Sequence, residues 1–134
     1  MGYVHTQIGL RNPRREELRE VEVRALVDTG SNHLCLPRDI VAELGLETNS
    51  TRSVKTADGS IHECHYVGPV RVRFQNRECF VGALELGDTV LLGAIPMEDM
   101  DLVINPMHQT VTVNPDFPDA PHALAMDVSE LAVM

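Results

Sequence analysis

The chain has 134 residues, enough for one domain that buries roughly two thirds of the surface its unfolded form exposes. Eleven Lys and Arg stand against twenty Asp and Glu, a net charge of -9, and that balance argues against nucleic acid as a partner. No apolar run approaches the length of a membrane span, so no membrane partner is expected either. Three cysteines form an odd set without repeating spacing, and no secretory apolar region precedes them. They read as reduced thiols in a cytoplasmic protein. With 2 Tyr, 3 Phe and no Trp, the core must come from Val, Leu, Ile and Ala, which suits β structure.

Val4, Thr6, Ile8 and Leu10 alternate with His5, Gln7 and Gly9, the period of a half-buried strand. Asn12-Pro13-Arg14-Arg15-Glu16-Glu17 reads as an exposed connection, after which Val21, Val23, Ala25 and Val27 resume the two-residue period. The pattern predicts a hairpin that leads straight into Asp28. There an apolar approach, Ala25-Leu26-Val27, stops at Asp28-Thr29-Gly30-Ser31. This predicts a buried strand turning sharply, with Gly30 supplying a positive φ, the Thr29 hydroxyl tying the turn down, and the carboxylate held fixed and partly desolvated.

Leu34 and Leu36 restore an apolar alternation. Arg38 to Leu44 then predicts a short helix, with Pro37 near its first turn, Gly45 ending it, and Ile40, Val41 and Leu44 on its packed face. Asp58-Gly59 between Val54 and Ile61 predicts a hairpin turn. Val70, Val72 and Phe74 predict a further strand that turns at Asn76-Arg77 and returns over Cys79 to Leu86. Ile95 to Leu102 predicts a short helix with Pro96 and acids in its first turns. Val103 to Pro106 and Thr110 to Val113 read as two closing strands. Beyond them Pro115, Pro118 and Pro121 suggest a stiff connector, and Ala123 to Met134 a docking helix or strand. Every charged residue after Arg77 is acidic, which reads as a solvated acidic surface.

The Asp28-Thr29-Gly30 triplet with its apolar approach resembles the active-site motif of aspartic peptidases, and it occurs once. Val90-Leu91-Leu92-Gly93-Ala94 resembles that family's later apolar strand, which threads the loop carrying the aspartate and whose glycine permits close backbone approach. The whole run to Asp101-Leu102-Val103-Ile104-Asn105-Pro106 is similar to small cellular relatives of the retroviral peptidases, over about residues 3 to 114. The resemblance implies a mostly β, single-domain retropepsin-like fold: a closed, barrel-like sheet with a flap hairpin and one or two short helices. It divides the chain into a peptidase domain, 1–114, and a proline-containing tail, 115–134.

What the resemblance implies for function is a homodimeric aspartic endopeptidase that acts on a peptide or protein substrate. One carboxylate cannot serve as base and acid in the same step, whereas two that share a proton can, because like charges in contact do not both ionise. One motif supplies one acid, so a two-fold axis must supply the other. Asp28, Thr29 and Gly30 are the implied catalytic residues. Ser31 and the flap residues Ala57, Asp58, Gly59 and Ser60 are the implied substrate-binding residues; by position in the chain, Ile61, Leu91 and Ile95 are either pocket walls or core residues. The Ser31 hydroxyl is expected to donate to the carboxylate and lower its pKa, and His33 to be a solvated loop histidine. No metal or cofactor is required.

Other chemistries find less support. His62, Cys64 and His65, with His33 and Cys35, are ligand types for zinc, yet along a strand His62 and Cys64 face away from His65, and no paired ligand spacing occurs. Cys35, Cys64 and Cys79 read as small apolar residues rather than nucleophiles. The alternative that keeps the fold is a catalytically idle dimerisation or peptide-binding module. Against it stands the presence of Asp28, Thr29, Gly30, the flap turn and Gly93.

Overall fold

The protein is described from a computed structural model, which covers residues 3–125. The helix or strand expected within 123–134 falls almost wholly outside the described residues. Strand β1 (Val4–Arg11) pairs antiparallel with β2 (Val21–Val27), from Val4 opposite Val27 to Leu10 opposite Val21. Ile8, Leu10, Ala25 and Val27 are the inward, buried residues of that hairpin, as the alternation predicts. The chain continues through β3 (Leu34–Leu36), helix α1 (Arg38–Glu43), β4 (Thr48–Lys55), β5 (Ile61–Phe74), β6 (Arg77–Glu85) and β7 (Leu91–Leu92). Helix α2 (Ala94–Asp99), β8 (Leu102–Asn105) and β9 (Thr110–Val113) follow.

The sheet order is β1-β2-β7-β3-β6-β5-β4, and β5 pairs back onto β1. Six strands therefore close into a barrel, with β4 outside it. Among the described residues the fold is mostly β with two short helices, and it has the closed barrel that the resemblance implies. Closure occurs where Gly9, Leu10 and Arg11 face Arg73, Val72 and Arg71. Leu10 and Val72 are both fully buried at this seam. On the outer face Arg73 reaches past Gly9 to Glu20, at 2.9 and 3.1 Å, and to Glu22, at 2.7 Å. A Cβ on Gly9 would lie 2.4 Å from the Glu20 carboxylate, so the bare backbone there makes room for the ion pair that straddles the seam. The Arg73 guanidinium holds the Glu20 carboxyl below its usual range. The barrel is filled by aliphatic side chains, among them Leu34, Leu36, Val67, Val70 and Leu92.

Several segments differ from the sequence pattern. Asn12, read as part of an exposed connection, is buried. Its Nδ2 donates to the carbonyls of Leu44 and Gly45 at 3.0 and 3.1 Å, and so satisfies groups left over at the end of α1. Strand β4 is entirely exposed except for Val54, and with both faces in water its sequence carries no alternation. Its partner β5 is one strand of 14 residues, although its exposed outer arm and buried inner arm look like separate segments. Helix α2 begins at Ala94, so Glu98 and Asp99 fall in its last turn instead of its first. Arg77, expected in a turn, starts β6 and is buried; the turn is Gln75-Asn76, with Gln75 at φ 52.

Residues 114–122 lie back along the domain. The buried Arg77 guanidinium donates to the Phe117 carbonyl, and Asn76 Nδ2 donates to Pro118 O at 2.9 Å. The His122 N–H donates to Asp101 Oδ2 at 2.9 Å, and the His122 ring stacks on Phe117 at 4.2 Å.

Leu10 tests the seam. Leu10→Ala should destabilise the protein by about 2–5 kcal/mol, read as a fall in the urea midpoint with little change in slope.

Candidate active site

The site is built where β2 ends. β7 runs parallel to β2, with Leu26 facing Leu91 and Val27 facing Leu92. The Leu26 N–H donates to Val90 O at 2.8 Å, and the Asp28 N–H donates to Leu92 O at 3.1 Å. The backbone of Asp28 is therefore the last rung of a parallel ladder. Beyond it the chain folds on itself: the Ser31 N–H donates to Asp28 O at 3.1 Å, and the Gly30 N–H donates to Asp28 Oδ1 at 2.9 Å. That second bond aims the carboxylate, because an aspartate that accepts from the N–H two residues on is locked into one local turn.

Gly30 is not at positive φ; among glycines that conformation belongs to Gly45, Gly59, Gly68 and Gly87. The reason for glycine is spatial: a Cβ at this position would sit 3.0 Å from Asp28 Oδ1, against the atom that its own N–H binds. Asp28, Thr29 and Gly30 are exposed in the single chain, contrary to the partly desolvated carboxylate that the sequence suggests. β2 carries them out of the barrel core to its surface, where no other part of the described chain covers them. Among the described residues neither the Thr29 nor the Ser31 hydroxyl makes a hydrogen bond. The expected donation from Ser31 to Asp28 is replaced by that from the Gly30 backbone.

Gly93 locks the loop from behind. A Cβ there would lie 2.4 Å from His33 O, 2.7 Å from Ser31 O and 2.8 Å from the Asn32 carbonyl carbon. Immediately after it the Ala94 N–H donates to Ser31 O and the Ile95 N–H to Asn32 O, both at 2.8 Å. The first amides of α2, which have no partners inside the helix, are thus used to hold the loop that follows Asp28. Beside Thr29 the surface falls into a cleft lined by Ala94, Met97, Glu98, Leu102 and Ile104. Of the expected pocket walls, Ile61 and Ile95 are exposed and Leu91 is half-buried; none of the three lines this cleft.

Ala57, Asp58, Gly59 and Ser60 form the exposed tip of the β4–β5 hairpin. The Thr56 N–H donates to Ser60 O at 3.0 Å and the Gly59 N–H to Thr56 O at 2.9 Å. Gly59, at φ +86, supplies the left-handed residue that the closure needs. Asp58 accepts from Thr56 Oγ1 and Ser60 Oγ, both at 2.6 Å, and from the Ser60 N–H at 3.0 Å. Those donors, Ser60 first, hold its carboxyl far below the usual range. Among the described residues no hydrogen bond joins this tip to Asp28, Thr29 or Gly30.

The link between hairpin and loop lies farther down, in residues without a sequence signal. Arg52 on β4 bonds His33, and Tyr66 on β5 packs against both. His33 is half-buried rather than solvated. Burial, and then the Arg52 charge, push its pKa below the ordinary histidine value. The other ligand-type residues serve separate contacts: His62 bonds Ser60 Oγ and His65 bonds Glu85. Among the described residues, no three His, Cys, Asp or Glu converge to hold a metal. Burial raises the Cys35 thiol to about 11 and the Cys79 thiol to about 12, and thiols so protonated are poor nucleophiles.

The aspartyl protease family profile matches residues 17–114. Among solved structures, the chain is similar to the EIAV protease complexed with the inhibitor HBY-793. The TM-score is 0.51 and the identity 14%, over 69% of this chain and 82% of the other. At that identity the likeness bears on the fold alone. No curated protein matches the chain.

Gly93→Ala tests the close approach. With backbone atoms on the far side, the added methyl must move the loop 31–33 or the start of α2. The expected cost is about 1–3 kcal/mol, seen in denaturant unfolding together with shifted amide signals at residues 28–33.

Proposed function

Since the chain belongs to the aspartyl protease family and carries a single Asp-Thr-Gly triplet, we propose that it is a homodimeric aspartic endopeptidase, with its catalytic centre formed by two copies of Asp28. The observation that carries this reading is a carboxylate aimed by the Gly30 N–H yet left open at the barrel surface. It adjoins a mainly apolar cleft next to Thr29. A second copy docked there would cover both triplets and remove both carboxylates from bulk water.

In such a pair the like charges cannot both ionise, so one Asp28 is a carboxylate and the other keeps its proton. The carboxylate takes a proton from a water held between them, and the resulting oxygen nucleophile attacks the scissile carbonyl carbon. The protonated copy donates to the carbonyl oxygen. Collapse of the tetrahedral species breaks the C–N bond, and the amine leaves with a proton returned by the pair. Thr29 and Gly30 hold the acids in register in this reading.

The β4–β5 hairpin is suited to act as a flap over an extended substrate. The N–H groups of Ala57 and Asp58 make no hydrogen bond among the described residues, which leaves them free to pair with a peptide backbone. Ser31 lies on the loop beside the acid, and Ile61 and Ile95 offer exposed apolar surface for side chains of the substrate. The peptidase unit is residues 1–114, and three buried free thiols support a reducing, cytoplasmic setting.

The test is cleavage of a mixed peptide library between about pH 3 and 7 by the wild type and Asp28→Asn, with sedimentation run alongside. The wild type should cut with a bell-shaped acid profile. Its activity should fall faster than linearly on dilution, and chelators should leave it unchanged. Asp28→Asn, isosteric but unable to share the proton, should lose roughly three orders of magnitude or more while keeping fold and dimer. Cleavage that survives in Asp28→Asn would sink the mechanism.

A further inference from the structure

The β4–β5 hairpin and the loop after Asp28 meet at one three-sided contact. Arg52 Nη1, on β4, lies 3.0 Å from His33 Nε2. The same guanidinium carbon sits 3.8 Å from the centre of the Tyr66 ring, on β5. That ring meets the His33 ring edge-on, with centroids 6.2 Å apart and planes at 85°. Tyr66 in turn occupies the space over Gly82 on β6, where a Cβ would lie 2.0 Å from its hydroxyl oxygen. On the other side, the His33 carbonyl is packed against Gly93, behind the Asp28 turn.

Arg52 can only donate, so His33 Nε2 must be the bare nitrogen of a neutral imidazole, with its proton on Nδ1. Protonation removes that acceptor and places a second cation against the guanidinium. The groups facing His33 are the Arg52 charge from β4 and the Tyr66 ring from β5; the nearest acid on its own loop, Asp28, is bonded to Gly30 instead. We propose that His33, Arg52 and Tyr66 form a pH-operated latch, in which neutral His33 holds the hairpin to the Asp28 loop and protonated His33 releases it. His33 and Arg52 are positioning residues, acting on the arm that carries Ala57 to Ser60.

Burial and Arg52 lower the His33 pKa in the folded chain. The unfolded chain therefore takes up its proton first on acidification. The stabilising contribution is fully present above the ordinary histidine pKa and is lost as pH falls through it toward the folded value. Release thus lies on the acid side of that value. The latch's role as a gate for substrate rests on the peptidase reading; the linkage itself does not, and hairpin motion can be measured without catalysis.

Amide hydrogen exchange of the full chain at about pH 7.5 and 5, corrected for intrinsic chemical rates, tests it. In the wild type, exchange over residues 48–66 should rise roughly fivefold at the lower pH, the population change one net hydrogen bond supplies, while residues 4–11 and 21–27 hold. His33→Gln presents an amide oxygen that accepts from Arg52 at any pH, so the rise should vanish. An equal rise in His33→Gln would assign it to His62 or His65 on the hairpin and overturn the latch, as would a wild-type hairpin that does not respond. Arg52→Met keeps the imidazole and removes the cation. The His33 ring signals by NMR should then titrate at higher pH than in the wild type, and an unmoved midpoint would equally refute the contact.

Discussion

Asp28 depends on β7. A strand of two residues, Leu91–Leu92, lies parallel to β2 and accepts the Asp28 N–H on its last carbonyl. Gly93 then lets the chain pass so close behind the loop that the Ser31 and Asn32 carbonyls meet the first amides of α2. Fixing the carboxylate is thereby the same event as starting the helix. The backbone groups that would be orphaned at a helix N-terminus and in a tight loop satisfy one another, which removes the cost of burying them unpaired. A side chain at Gly93 would separate the two.

The barrel supplies the rigidity that this arrangement needs. β2 and β7 sit within a closed ring of six strands, and closure leaves those strands without free edges along which the register could slip. The seam between β1 and β5 combines Leu10 and Val72 inside with the Arg73 pairs to Glu20 and Glu22 outside. Against this frame the hairpin is the variable part. Among the described residues β4 is paired only to β5, its residues are nearly all exposed, and its side-chain tie to the Asp28 loop passes through Arg52. The molecule joins a fixed carboxylate to an arm held by far fewer contacts, the division that the proposed peptidase reading calls for, in which a long substrate is admitted and then covered.

Length, an aliphatic composition and the two-residue period suffice to read from the chain a mostly β fold with the hairpin β1–β2. The Asp28-Thr29-Gly30 triplet, the Leu91-Leu92-Gly93 run and the Asp58-Gly59 turn are equally legible, since each is a local pattern with a local backbone cause. α1 is legible for the same reason: Val41 and Leu44 are buried on one face and Gly45 follows at φ +63. Where a side chain answers to a distant segment, no local pattern betrays it. Asn12 serves the end of α1, Arg77 reaches Phe117, and Arg52 meets His33.

The sequence by itself determined that a carboxylate, Asp28, stands at the end of an apolar strand, and which glycine lies behind its loop. Those choices are written in residue type and spacing. Only the tertiary structure decided how the acid is aimed and what surrounds it. Gly30 is there for room beside Asp28 Oδ1 and not for a positive φ, and His33 is a half-buried acceptor rather than a solvated ring. β4 is a strand although nothing in its composition alternates. The first is a contact between near neighbours that residue type alone does not reveal; the physical reason for the last two is shared. Burial and hydrogen-bond partners are properties of the packed chain, set by segments that lie far apart in sequence and meet only when the barrel closes.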